Sequence, residues 1–153
     1  SRGNNITLSL VGSGEPNELR LLNIKVKEVD PKGDFIYQAG LIPHADLSNE
    51  LANSNLFIFA SSCEAFGISL LEAMAIGIPI ASSGRSSLKE TLKEGGVYFE
   101  PDNSESIANA IEKIIADPEL RNFISHRAKA LSNDYSWEKC ANETFDFIIK
   151  TIS

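Results

Sequence analysis

The sequence predicts an α/β domain: a parallel sheet covered by helices on both faces, followed by a helical C-terminal tail. Three observations predict it. Short apolar segments alternate with helical segments through the first two thirds of the chain, the pattern of strands joined by crossover helices. One segment, Leu56 to Ala60 (LFIFA), is an unbroken apolar run, as strands buried on both faces are. After Phe99, amphipathic helical segments follow one another with no strand between them. The length, 153 residues, suits a single domain that buries about two thirds of its unfolded surface.

The elements are expected in this order. Ile6 to Val11 is a strand running into Gly12-Ser-Gly-Glu-Pro, and Glu15-Pro16 opens a short helix carrying Leu19 and Leu22. Asp34 to Ala39 is a strand rich in aromatic and branched residues, followed by a helix over Ala45 to Asn53. The strand Leu56 to Ala60 leads to a helix over Gly67 to Ile76. Ile78 to Ala81 is a short strand with its proline near the start. Ser87 to Lys93 is a short helix and Val97 to Phe99 the last strand. Asp102, with Glu105 three residues on, caps a helix whose Ile107, Ala110, Ile111, Ile114 and Ile115 share one face. Asp117-Pro118 caps the next, which carries Leu120, Phe123, Ile124 and Leu131. Ser136-Trp137-Glu138 starts the final helix, with Cys140, Ala141, Phe145 and Ile148, and Trp137 as its packing anchor.

Composition narrows the function. Fourteen Lys and Arg against 21 Asp and Glu leave a net charge of -7, a poor match to a nucleic-acid backbone. A small phosphorylated ligand stays open, because a helix N-terminus supplies local positive potential. The longest apolar stretch, Gly67 to Ala81, is interrupted by Glu72, Gly77 and Pro79 and is too short to span a bilayer. No basic-then-apolar leader opens the sequence, so the expected location is the cytoplasm, the inner face of a membrane included. Cys63 and Cys140 are then expected as free thiols, and the sequons at Asn5 and Asn142 as chance matches.

In parallel sheets of this kind ligands bind beyond the C-terminal strand ends. That rule selects the loops Gly12 to Glu15, Gly40 to Ala45, Ser61 to Gly67 and Ser82 to Ser87. The third is the most informative. It follows the buried strand, carries Glu64, and turns at Gly67 into a helix whose first N–H groups, on Phe66, Gly67, Ile68 and Ser69, would point outward as an anion site. Glu72 stands in a helix apolar nearly all round and is expected to be buried, where a carboxylate needs partners. It lies roughly 7 Å along the axis from the helix start. It could bond the paired hydroxyls of a ribose whose phosphates sit at the helix end, with Glu64 facing what lies beyond them. Taken alone, the two glutamates fit better a Glu72 that bonds a structural Arg or a backbone group and a Glu64 that caps a turn.

The whole string weighs more than the pair. Glu-Ala-Phe-Gly-Ile-Ser-Leu-Leu-Glu-Ala-Met-Ala-Ile-Gly-Ile-Pro-Ile-Ala-Ser (64–82) resembles the Glu-x7-Glu signature of retaining glycosyltransferases of the GT-B architecture, the glycosyl transferases group 1 family. Val11-Gly-Ser-Gly-Glu, Gln38-Ala-Gly-Leu-Ile, Ser87-Leu-Lys-Glu-Thr, Phe99-Glu-Pro-Asp-Asn and Tyr135-Ser-Trp-Glu are similar to its flanking elements, so the resemblance covers nearly the whole chain.

The resemblance implies a Rossmann-like donor domain, the C-terminal half of a two-domain enzyme whose N-terminal domain holds the acceptor. It implies that Glu64 contacts the transferred sugar as the catalytic position. Ala65, Phe66, Gly67, Ile68 and Ser69 would serve sugar and diphosphate, Glu72 the ribose, and Gly12, Leu41 and Ile42 the nucleotide. The donor would be a nucleotide-diphosphate sugar, UDP- or GDP-linked, with no cofactor required and no metal site. The acceptor would be a glycan, lipid or other hydroxyl compound, with the intact protein peripheral to a membrane. The alternative is a non-catalytic nucleotide-sugar-binding or regulatory module of the same fold, disfavoured because both glutamates are present. A sugar epimerase or phosphorylase of related architecture is disfavoured because the string follows the transferase version. One departure stands out: the Arg and Lys that the family places on the diphosphate just upstream of the first strand have no counterpart, Arg2 being the only basic residue there. Residues 1–153 are therefore expected to be a piece lacking the acceptor domain and the first strand of its own sheet. His44 is expected as a helix-start residue, His126 at the surface, Arg85 in a solvated loop, and Cys63 without a nucleophilic role.

Overall fold

The computed structural model describes residues 5–152, so Arg2 lies outside the described residues. All five expected strands are present and every pairing is parallel, but they form two ladders rather than one. The chain divides after Leu47 into two compact units. Alternating strands and helices dictate parallel pairing, as observed, yet say nothing of which strands are neighbours.

In the first unit, β1 (Leu8–Val11) pairs with β2 (Ile36–Gly40). A register shift at Leu10/Val11 sets Val11 opposite Gly40, and the Gly12 N–H donates to the Gly40 carbonyl at 2.8 Å. Between them α1 (Pro16–Val29) is longer than the short helix expected. Pro16 stands in its first turn, and Leu19, Leu22 and Val26 continue one stripe down to Asp30. Asp30 is buried and its carboxylate accepts from the N–H groups of Asp34 (2.8 Å), Phe35 (2.9 Å) and Ile36 (2.8 Å). Burial pushes that carboxyl up, but the backbone N–H groups of Phe35, Asp34, Ile36 and Gly33 together outweigh it and hold it below its usual range. Helix α2 (His44–Ala52) begins at His44.

In the second unit the order is β3 (Phe57–Phe59), β4 (Ile80–Ser83), β5 (Val97–Phe99). Phe57 registers with Ile80 and Ala81 with Val97. β4 starts two residues later than expected. Pro79 has no N–H to offer the ladder, and its carbonyl instead accepts from Phe57 at 2.9 Å. The strands are half-buried at β3 and fully buried at β4. Alternation sends their side chains to two cores. On one face Phe57, Phe59, Ile80 and Tyr98 meet Leu70, Met74, Leu88, Leu92 and Ala128, from α3 (Ile68–Ile76), α4 (Leu88–Leu92) and α6 (Pro118–Ser132). On the other, Ile58, Ala81, Val97 and Phe99 meet Ala110 and Ile114 of α5 (Ser104–Ala116) and Ile124 of α6. Leu70, Met74 and Leu88 are wholly inaccessible, each worth about 1.5–3 kcal/mol by burial.

The caps are partly as expected. Asp117 accepts from Leu120 N–H at 2.9 Å with Pro118 in the first turn. The cap of α5, however, is Asn103, whose side chain accepts from Glu105 and Ser106 at 3.0 Å each, and not Asp102. The expected apolar face of α5 is buried or half-buried throughout. Phe123, on the same helix as the buried Ile124 and Leu131, is 57% exposed. Helix α7 (Trp137–Ile152) has no buried residue. Trp137 is 83% exposed, so it anchors nothing in this structure, and Cys140, Ala141, Phe145 and Ile148 are exposed with it. No helix of the described residues is long and apolar enough to cross a membrane.

Candidate functional site

Because β3, β4 and β5 are parallel, the segments that follow them leave one edge of the sheet: 60–67, 84–87 and 100–103. The first carries the Glu64 string. Gly67 ends it in the left-handed region, φ 82 and ψ 59, a conformation that favours glycine. It is buried, and a Cβ there would stand 3.1 Å from Leu88 Cδ2 and 3.5 Å from Glu64 Cγ. The Gly67 carbonyl accepts from Leu70 (3.0 Å) and Leu71 (3.1 Å), so helical bonding starts at Leu70. The N–H groups of Ile68 and Ser69 precede the ladder and have no partner within the helix. Ile68 is 57% exposed and Phe66 45%, with Ala65 and Ser69 also exposed, so the helix mouth opens to the surface.

Glu64 is half-buried and its main chain is held from the β4–α4 loop. Its N–H donates to Ser86 Oγ at 3.4 Å, and its carbonyl accepts from Ser87 Oγ at 3.2 Å. Arg85 of that loop is bonded to the β5–α5 loop: Nη1 to Asp102 at 2.6 Å, Nη2 to Glu100 at 3.1 Å, and Nε to Glu100 at 3.3 Å. These bonds, to Asp102 above all and then Glu100, raise the guanidinium pKa above its ordinary value. Arg85 is thus a loop residue 41% exposed at its side chain, as expected, and bonded across to the next loop. Phe66 meets Tyr135 edge to face, centroids 5.8 Å apart.

Glu72 is half-buried, not buried as expected. A helix of nearly uniform apolarity does not show which side faces out. In the structure Ile68 and Ala75 are exposed and Glu72 and Ile76 half-exposed, at i, i+4, i+7 and i+8, so Glu72 lies on the open stripe that begins at the helix mouth. Burial therefore does not by itself demand a ligand for this carboxylate. The structure brings Glu64, Ala65, Phe66, Gly67, Ile68, Ser69 and Glu72 together on one loop and one helix. Gly12, Leu41 and Ile42 belong to the first unit, at the C-terminal edge of its own two-stranded sheet; Leu41 is 79% exposed and Ile42 half-buried. Cys63 and Cys140 are free and exposed, and His126 is exposed.

Sequence reasoning missed Ser86, Ser87 and Tyr135 as neighbours of the string. Their signal was weak: two serines ahead of a short helix read only as its start. Asp30 was also missed, although Asp30-Pro31-Lys32-Gly33 has the residues of a tight turn.

Comparison with known proteins identifies the lineage of this geometry. The profile described as "Glycosyl transferases group 1" matches residues 1–131. The chain belongs to the glycosyl transferases group 1 family. The O-antigen chain mannosyltransferase B of Escherichia coli is 30% identical to this family member over 112 residues, which are 73% of this chain and 29% of that protein. The C-terminal domain of the group 1 family protein LpcC of Francisella tularensis superposes with a TM-score of 0.72 at 25% identity, covering 84% of this chain and 68% of that one. The HepE protein of Anabaena, solved in complex with UDP-glucose, shares the fold at a TM-score of 0.82 and 22% identity, over 95% of this chain and 41% of that one. The family member described here spans less than two fifths of the length of the first curated relatives it matches.

Proposed function

We propose that this chain is the C-terminal, donor-binding part of a retaining glycosyltransferase that takes its sugar from a nucleotide diphosphate. The observation that carries the reading is the left-handed Gly67, which opens α3 between Glu64 and the Glu72 stripe and leaves the N–H groups of Ile68 and Ser69 ahead of the helical ladder. The name of the E. coli relative, a mannosyltransferase, supports the reaction class. The shared fold with the LpcC C-terminal domain supports the position in the chain.

The N–H groups of Phe66, Gly67, Ile68 and Ser69, with Ala65 beside them, would face the sugar and diphosphate, where charge grows as the leaving group departs. Glu72 would accept from the ribose hydroxyls, and its half-exposed place leaves it reachable. Glu64 would bond hydroxyls of the transferred sugar. In the first unit, Gly12, Leu41 and Ile42 are assigned to the nucleotide. The step breaks the bond from the anomeric carbon to the diphosphate oxygen and forms one to the acceptor oxygen on the same face. The acceptor proton passes to the departing diphosphate, so the protein's share is position and electrostatics. The acceptor would be held by an N-terminal domain of the same protein, and the work would take place in the cytoplasm. The 153 residues alone would bind nucleotide weakly and transfer sugar inefficiently.

The test is a titration of UDP and of GDP followed through the backbone amides. One of them is expected to shift Phe66 to Ser69, and Glu72→Ala to weaken that binding about tenfold or more, the loss of a charge-assisted pair of hydrogen bonds. Silence at those amides with both nucleotides at millimolar concentration refutes the site.

A further inference from the structure

We propose that Ser86 and Ser87 are positioning residues for Glu64: two hydroxyls from the neighbouring loop grip its main chain on both sides, and Arg85 holds the loop they stand on. The inference rests on the donor-site reading above and adds to it how the sugar-facing carboxylate is aimed.

Glu64 lies between a strand and a helix, outside any ladder, in a stretch where the chain has no regular partner. Its two main-chain polar groups are nonetheless both engaged, and by opposite chemistry. Ser86 Oγ accepts from the N–H, and Ser87 Oγ donates to the carbonyl. A hydroxyl can do either, which is why the same residue type serves both ends. Fixing the two peptide groups that flank one Cα fixes the direction in which its side chain leaves. A glycine at 67 also leaves room for the stem, since a Cβ there would stand 3.5 Å from Glu64 Cγ.

The gripping loop is itself held. Ser86 has φ 56, a left-handed conformation that a serine keeps only where its surroundings dictate it. On one side of it, Arg85 is tied by its guanidinium to Glu100 and Asp102 and by its N–H to Ser83 Oγ at 3.2 Å. On the other, the Ser87 carbonyl accepts from Glu90 (3.0 Å) and Thr91 (3.1 Å) as α4 begins. Exposed ion pairs such as those of Arg85 contribute little to stability. Their effect here is on geometry.

Two measurements on the intact protein carrying this chain test the inference. The first needs no ligand: amide exchange in the free protein, where Ser86→Ala together with Ser87→Ala is expected to speed exchange at Glu64 while leaving β3, β4 and β5 protected. The second is the ratio of affinities for a sugar nucleotide over its parent diphosphate, read with UDP-glucose against UDP and GDP-mannose against GDP. Glu64→Gln is expected to collapse that ratio. The double serine variant is expected to lower it about tenfold, the scale of a small misplacement, without weakening the diphosphate alone. Ser87→Thr, which keeps the hydroxyl, is expected to recover it, and Arg85→Gln to lower it in part. If the double variant does not fold, each single alanine variant reads the same ratio. A Glu64→Gln ratio equal to wild type refutes the donor-site reading while the exchange result still judges the grip. A collapsed Glu64→Gln ratio beside an unchanged serine ratio and unchanged Glu64 exchange overturns the inference and leaves the reading standing. Equal losses of sugar nucleotide and diphosphate in the serine variant, with a lowered Tm, also overturn it, because they mark general loosening.

Discussion

Gly67→Ala puts the geometry of the helix mouth to its most direct test. Two costs add. An L-residue held in the left-handed region costs about 1–2 kcal/mol. The new Cβ would also stand 3.1 Å from Cδ2 of Leu88, a side chain with no exposed surface and therefore little room to yield. Overpacking of that kind costs about 1–3 kcal/mol. The sum is about 2–5 kcal/mol, a large share of the stability of an ordinary domain. Gly77→Ala is the internal control. It has almost the same φ, 83, but its Cβ would meet only the side chain of Lys129, Cδ nearest at 3.2 Å, which is exposed and flexible. Gly77→Ala is thus expected to cost only the backbone share. Urea denaturation of the three proteins, with m-values held equal, reads both losses. If Gly67→Ala loses no more than Gly77→Ala, the packing of Leu88 behind the helix mouth is wrong. If neither loses as much as 0.5 kcal/mol, roughly the spread of a surface change, the left-handed turns themselves are wrong.

Other outcomes follow from the same structure. Asp30 has its folded pKa held below the ordinary 3.8, so its stabilisation is complete above that value and is lost as pH falls through the lower folded one. Wild type and Asp30→Asn are therefore expected to differ in stability at neutral pH and to converge in acid, as denaturation curves across pH would show; parallel curves refute the role. Asn103→Ala is expected to cost about 1 kcal/mol as a lost helix cap, and Asp102→Ala less, the reverse of what the sequence suggests; equal Tm values for the two would refute the assignment of the cap.

Features set by a few neighbouring residues were legible in the sequence. The Asp117-Pro118 cap, the buried face of α5 and the strand Val97–Phe99 stand where the pattern puts them. So does the turn from the Glu64 loop into α3, because a glycine before an apolar helix leaves few alternatives. What depends on distant partners was not legible. Which strands pair, β1 with β2 and β4 between β3 and β5, leaves no periodic mark. Asn103 and Asp102 are equally able to cap, and only the path of the chain decides between them. The exposure of Glu72 hinged on which side of a uniformly apolar helix found α6 and α4, and that of Trp137 on a helix, α7, that buries none of its residues. The serine grip on Glu64 joins residues more than twenty positions apart, beyond the reach of any local pattern.

The edge of the three-stranded sheet is joined crosswise by short polar side chains and a guanidinium, while the strands beneath it are locked by buried hydrocarbon. Substitutions among Arg85, Glu100 and Asp102 can thus slacken or tighten the rim without disturbing the foundation. A lineage built this way can reshape that rim through its fastenings alone, keeping its folding machinery untouched.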